Sequence, residues 1–308
     1  MPRLVRSSQL RTVAAVALLA VVIWRLGAGP VLDGLRALDL PAVVAALGIG
    51  AATTLCGAAR WALVARRLGM ELRLGAAVAH CYRALFLNSM LPAGILGDVG
   101  RAVEHGRAVG DVGRGARAVM LEKVAGQVAL VMVGTVVLVA EPDVLGALSL
   151  PSQVWVPALG LLVAGGVVGL RVARVRGVLR TLLADARRGL LARDAWPGVA
   201  LLSLAALAGY LGLFLVAART VGATAPLEQL LPLLVLALFV MGLPVSVGGF
   251  GPREAVAAVA FGAVGLGAAQ GLSAAVAYGV LAVVSTLPGG LVLLAGVLRR
   301  PSGRLATA

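Results

Sequence analysis

Two arginines close two related glycine-rich phrases, LPAGILGDVGR at 91–101 and LPVSVGGFGPR at 243–253. Laid over one another without a gap, the phrases share Leu-Pro, one glycine (Gly97 or Gly249) and the final Arg101 or Arg253. In the second phrase Gly249 and Gly251 give conformational freedom, Pro252 suits a first helical position and Glu254 favours a helix start. In the first, Asp98 is expected as the N-cap, with Arg101 in the first helical turn. A helix N-terminus combines unsatisfied N–H groups with a positive dipole end, and arginine adds a fork of donors suited to phosphate. The chemistry these residues could do is therefore anion binding. Arg83 and Asn88, on the arm preceding the first phrase, are further candidate contacts. The competing reading makes Arg101 and Arg253 snorkelling residues at helix ends, paired with Glu104 and Glu254.

The elements that must hold such a site are membrane helices. A chain of 308 residues with 60% hydrophobic and 13% charged residues, and a mean hydropathy of +1.01, is too apolar for a soluble globule. Runs at 12–24, 42–59, 124–140, 154–170, 198–218 and 230–250 suit helical passes, and 255–298 carries no charge at all, enough length for two passes. The net charge of +14 would suggest nucleic acid in a soluble protein. In this setting it falls into clusters that orient a membrane protein. Arg3, Arg6 and Arg11, then Arg66, Arg67 and Arg73, then the arginines of 171–194, then Arg299, Arg300 and Arg304 are expected on the cytoplasmic side, with both termini. Asp33, Asp39, Glu141 and Asp143 are expected outside. The cluster at 171–194 also attracts anionic headgroups. All four tryptophans, at 24, 61, 155 and 196, lie near ends of apolar runs, where interfacial aromatics sit.

Counting crossings makes 74–100 a hairpin that enters from the cytoplasm and returns, since a full pass would carry the arginines of 171–194 outside. The second phrase follows three further passes, so its hairpin approaches from the other face. Glycine- and proline-interrupted segments in corresponding places of two halves point to a transporter binding site. The expectation is an all-α polytopic bundle of about six spans with two re-entrant hairpins, as one unit with inverted halves near 10–140 and 154–298.

Other chemistries find little to build on. Cys56 and Cys81 have no metal spacing and read as small packing residues, and His80 and His105 are the only histidines. No phosphate loop, HExxH or GxSxG occurs, so no ATPase motor, metal, cofactor or ordinary hydrolytic residue is expected. Glu122 and Lys123 are adjacent and cannot share one helical face, so one of them turns to the bundle interior. Both are candidates for coupling, and Asp98, Glu122 and Glu254 are candidate proton carriers.

The stretches RALFLNSMLPAGILGDVGRAVE (83–104), LEK (121–123) and LPVSVGGFGPREA (243–255), in this order over roughly 10–300, resemble the lysylphosphatidylglycerol synthase transmembrane region family, also called flippase-like domain proteins. The resemblance implies a cytoplasmic-membrane protein that moves a modified phospholipid, aminoacylated phosphatidylglycerol in that family, between leaflets. Some members carry a cytosolic aminoacyl-transferring domain. This chain ends ten residues after Leu298, so a membrane unit without that domain is expected. The family often has an acidic residue and Arg where Glu122–Lys123 stands here, and a lysine lacks the bidentate fork. The expected partner is a membrane phospholipid or polyprenyl lipid, with a separate lipid-modifying enzyme or a second copy as further partners and no nucleic acid. The alternatives are an integral-membrane transferase acting on a lipid-linked phosphate, and a non-catalytic membrane partner of a lipid-modifying enzyme.

Overall fold

A computed structural model describes residues 29–91, 94–141, 173–241 and 251–298. The passes read at 12–24 and 154–170, together with Gly249, lie outside the described residues. Within them the chain forms ten helices and no strand. They are α1 (Gly29–Arg36), α2 (Leu40–Arg67), α3 (Leu74–Met90), α4 (Leu96–Ala108), α5 (Val112–Ala140), α6 (Ala173–Gly189), α7 (Trp196–Thr220), α8 (Leu227–Met241), α9 (Pro252–Ala263) and α10 (Ala268–Leu298).

Four are long and apolar enough to cross a membrane: Leu40–Arg67, Val112–Ala140, Trp196–Thr220 and Ala268–Gly296. Asp39 starts α2 by accepting the Ala42 N–H at 2.9 Å, with Pro41 in the first turn, where its missing N–H costs nothing. Asp111 starts α5 in the same way, taking the Arg114 N–H at 2.8 Å. That bond, helped by the Arg114 and Arg117 charges, holds the Asp111 carboxyl below its ordinary range. A depressed carboxyl stabilises the fold above its unfolded value of about 3.9, and the effect is lost as pH falls through the folded value. Asp111→Ala is therefore expected to lower the melting temperature in detergent at pH 7. The gap from wild type should close below about pH 4.

The ends of the bundle differ in charge. Arg66 and Arg67 close α2, Arg73 precedes α3, Arg107 closes α4, and Arg114 and Arg117 open α5. Helix α6 is tied to this basic end by Arg117 to Asp185 at 2.6 Å, and the segment before α7 is tied there by an Arg67–Asp194 ion pair. The opposite end carries Asp33, Asp39, Glu141 and Glu228 against two arginines, Arg36 and Arg219. Helix α3 starts and α4 finishes at the basic end, so the two make a hairpin. At about 26 and 20 Å, its arms are shorter than the roughly 30 Å hydrocarbon core.

Helices α8 and α9, about 22 and 18 Å long, form the second hairpin. It enters from the other end, because α9 turns at 264–267 into the start of α10, which packs against α1 beside the beginning of α2. The charge-free stretch 255–298 thus holds one short hairpin arm and one long helix, not two passes.

Close backbone approach sets the first hairpin. A Cβ on Gly97 would overlap the Ala84 carbonyl, and one on Gly289 of α10 would overlap the Tyr82 carbonyl. Gly97→Ala should therefore force α3 and α4 apart, at about 1–3 kcal/mol, read as a lower midpoint of thermal unfolding in detergent. The main core lies around Phe214, Leu234, Phe261, Tyr278 and Leu281, packed between α7, α8, α9 and α10.

Candidate functional site

Hairpin α3–α4 packs its polar residues against α2 and α5, and together with α7 and α8 these helices line a cavity of about 260 Å³. Glu122 of α5 is buried at the centre. Its Oε1 accepts Arg60 Nη2 at 2.5 Å and its Oε2 accepts Arg101 Nη2 at 2.8 Å. Arg101 also donates from Nε to Asp98 Oδ1 at 2.9 Å and lies 4.8 Å from the Trp61 ring centroid. Asp98 Oδ2 takes Asn88 Nδ2 at 2.8 Å and Lys123 Nζ at 3.1 Å. Arg60 donates from Nη1 to Ser203 Oγ at 3.0 Å, while its buried Nε–H has no acceptor among the described residues. Three cations, Arg60, Arg101 and Lys123, thus face two carboxylates, Glu122 and Asp98, on the wall of one cavity. One positive charge is left over. Cys81, Tyr210 and Met241 also line the space.

The sequence-level roles change in detail. Asp98 is not the cap of α4: Ile95 holds that position, and no side chain of its own closes the turn. Asn88 supplies the acceptor from across the hairpin, taking the Gly97 N–H at 2.8 Å. This frees the Asp98 carboxylate for Arg101 and Lys123. Arg101 then stands in the second turn of α4, not the first. Its partners are Glu122 and Asp98, and Glu104 pairs instead with Arg83. That pair lies beside His80, partly exposed, and Arg83 is not on the cavity wall. Glu122 is the member of the Glu122–Lys123 pair that faces inward. The Lys123 side chain is 49% exposed and bends back to Asp98.

Arg253 and Glu254 make a second buried pair. Glu254 Oε2 accepts the Gly251 N–H at 2.6 Å and its Oε1 pairs with the Arg253 guanidinium, which lies 4.9 Å from the Tyr278 ring centroid. Gly251 adopts φ 109°, open only to glycine at low cost. Arg253 also reaches Met241 Sδ at 3.8 Å, so the thioether that lines the cavity stands between it and Arg253. Among the described residues that line the cavity Arg101 is present and Arg253 is not. Each stacks on an aromatic ring and binds a buried glutamate.

Arg60, Ser203 and Tyr210 escaped the sequence reading, and Trp61 was given an interfacial place rather than one in the site. The apolar run 42–59 stops just before Arg60, and Trp61 reads as an interfacial aromatic at its end. The helix continues to Arg67, and Trp61 is fully buried beneath Arg101. The signal was an isolated arginine two turns before the Arg66–Arg67 pair that ends the helix. Trp196, by contrast, is exposed at the basic end.

The profile of the family described as Lysylphosphatidylglycerol synthase TM region matches residues 10–289. No curated protein and no solved structure matches the chain.

Proposed function

The chain belongs to the Lysylphosphatidylglycerol synthase TM region family, and from that membership we propose that it moves a phosphate-containing lipid between the leaflets of the cytoplasmic membrane, with its basic end toward the cytoplasm. The observation that carries the reading is the surplus positive charge on the wall of a cavity framed by three helices long enough to span the membrane. A headgroup phosphate brings the missing negative charge, and about 260 Å³ accommodates a headgroup while leaving the acyl chains in lipid.

Lys123 is the cation easiest to recruit. It is half exposed and holds only Asp98, whereas Arg101 and Arg60 share a buried glutamate. A phosphate that takes Lys123 and the free Nε–H of Arg60 would compete with Asp98 and Glu122 for their cations, so occupancy loosens the contacts between hairpin and bundle. Movement of the hairpin then changes which leaflet the cavity faces. Arg253 and Glu254 hold the start of α9 behind Met241 and act by position.

The test is leaflet exchange in liposomes carrying headgroup-labelled phosphatidylglycerol, its lysyl derivative or a polyprenyl phosphate. One of these lipids should exchange with wild type. Lys123→Ala should slow it about tenfold or more, the worth of one charge-assisted hydrogen bond. Arg83→Ala, outside the cavity, should leave it unchanged. No exchange of any of the three lipids, or a Lys123→Ala rate equal to wild type, would overturn the reading.

A further inference from the structure

Helix α6 carries a surface that the cavity does not use. Arg180, Leu183, Ala184 and Arg187 recur at helical spacing along one stripe, continued past the helix end by Leu191, and all are exposed, as are Arg188 and Arg193. The other side is anchored: Ala186 and Leu190 pack with Val64, Leu121 and Val199, and Asp185 accepts from Arg117. The acids of this region are already claimed, Asp185 by Arg117 and Asp194 by Arg67. Arg180, Arg187, Arg188 and Arg193 have no ion pair among the described residues.

Two leucines interleave with these arginines, Leu183 at 55% and Leu191 at 68% exposure. Water alone suits the arginines and hydrocarbon alone suits the leucines. The boundary between headgroups and acyl chains suits both. Trp196, exposed just beyond, is the residue type that settles at that level. We propose that α6 lies in the headgroup layer at the basic end and binds anionic phospholipid headgroups through Arg180, Arg187, Arg188 and Arg193, at a site separate from the cavity. This does not depend on whether the cavity moves lipid. It has a bearing on the cavity all the same, because α6 packs on Leu121, the residue before Glu122.

The test places a fluorophore at Ala184→Cys, in a Cys56→Ser background, on the full chain in phosphatidylcholine vesicles. Equal small amounts of spin-labelled phosphatidylglycerol or spin-labelled phosphatidylcholine serve as quenchers. Each arginine near the surface favours an anionic lipid by about fivefold at low salt. Phosphatidylglycerol should therefore quench several-fold more than phosphatidylcholine. The preference should vanish when all four arginines become glutamine, and should shrink in wild type as salt shortens the screening length. The salt arm stands even if the quadruple variant fails to fold. Equal quenching by both lipids, quenching by neither, or a preference that survives both neutralisation and salt would overturn the proposal.

Discussion

Glu122→Gln is expected to be among the most destabilising single substitutions in this protein, lowering the melting temperature in detergent by roughly 10 °C. The carboxylate is buried and shared between two buried guanidiniums, Arg60 at 2.5 Å and Arg101 at 2.8 Å. Glutamine keeps the shape but removes the charge, and one acceptor oxygen becomes a donor aimed at a guanidinium. Breaking a buried pair from one side costs about 3–5 kcal/mol, because the cations left behind have no water to turn to. Removing all the charges together is a different experiment. In Arg60→Met, Glu122→Leu, Arg101→Leu no unpaired charge remains, so much of the lost stability should return while leaflet exchange stays absent. Recovery of exchange with stability would mean that the charges serve only the fold.

The second large effect is expected at Glu254→Gln. Glu254 is fully buried, and its oxygens are divided between the Gly251 N–H and Arg253. The amide can still accept from Gly251, so the turn into α9 survives. Arg253 loses a buried carboxylate partner, and breaking a buried pair from one side again costs about 3–5 kcal/mol. Glu104→Gln gives the scale. Glu104 pairs with Arg83 but is 49% exposed, and partly solvated pairs contribute about 1 kcal/mol or less. A thermal-shift series should therefore rank Glu122→Gln and Glu254→Gln together, well apart from Glu104→Gln. Equal small shifts for all three would mean that water reaches both buried clusters.

Much of the architecture was legible in the residues. Gly94 stands between α3 and α4, Gly251 and Pro252 open α9, and the clustering of arginines marks one end of the bundle. These signals are local, so a sequence carries them openly. The site was legible only in part, because its geometry comes from helices far apart in the chain. Asp98 looks like a cap from its neighbours alone. Only the approach of Asn88 across the hairpin releases its carboxylate for Lys123. Arg60 went unread because it follows the apolar run 42–59, and nothing in α2 itself says that Glu122, on another helix, will neutralise it. Arg253 looked like the twin of Arg101, and in local company it is, with a ring beneath it and a glutamate beside it. Its distance from the cavity depends on Met241, which no comparison of the two phrases could place.

The unequal lengths of the helices have a mechanical consequence. The four long helices can tilt to suit a thicker or thinner bilayer, whereas the reach of α3–α4 and α8–α9 from their own ends is fixed. Hydrophobic mismatch is therefore absorbed by the frame and not by the hairpins. If the cavity passes a headgroup between leaflets as proposed, that headgroup has more hydrocarbon to cross in a thick bilayer. Acyl-chain length in the host membrane would then act as a mechanical setting on the proposed exchange, independent of any charge in the protein.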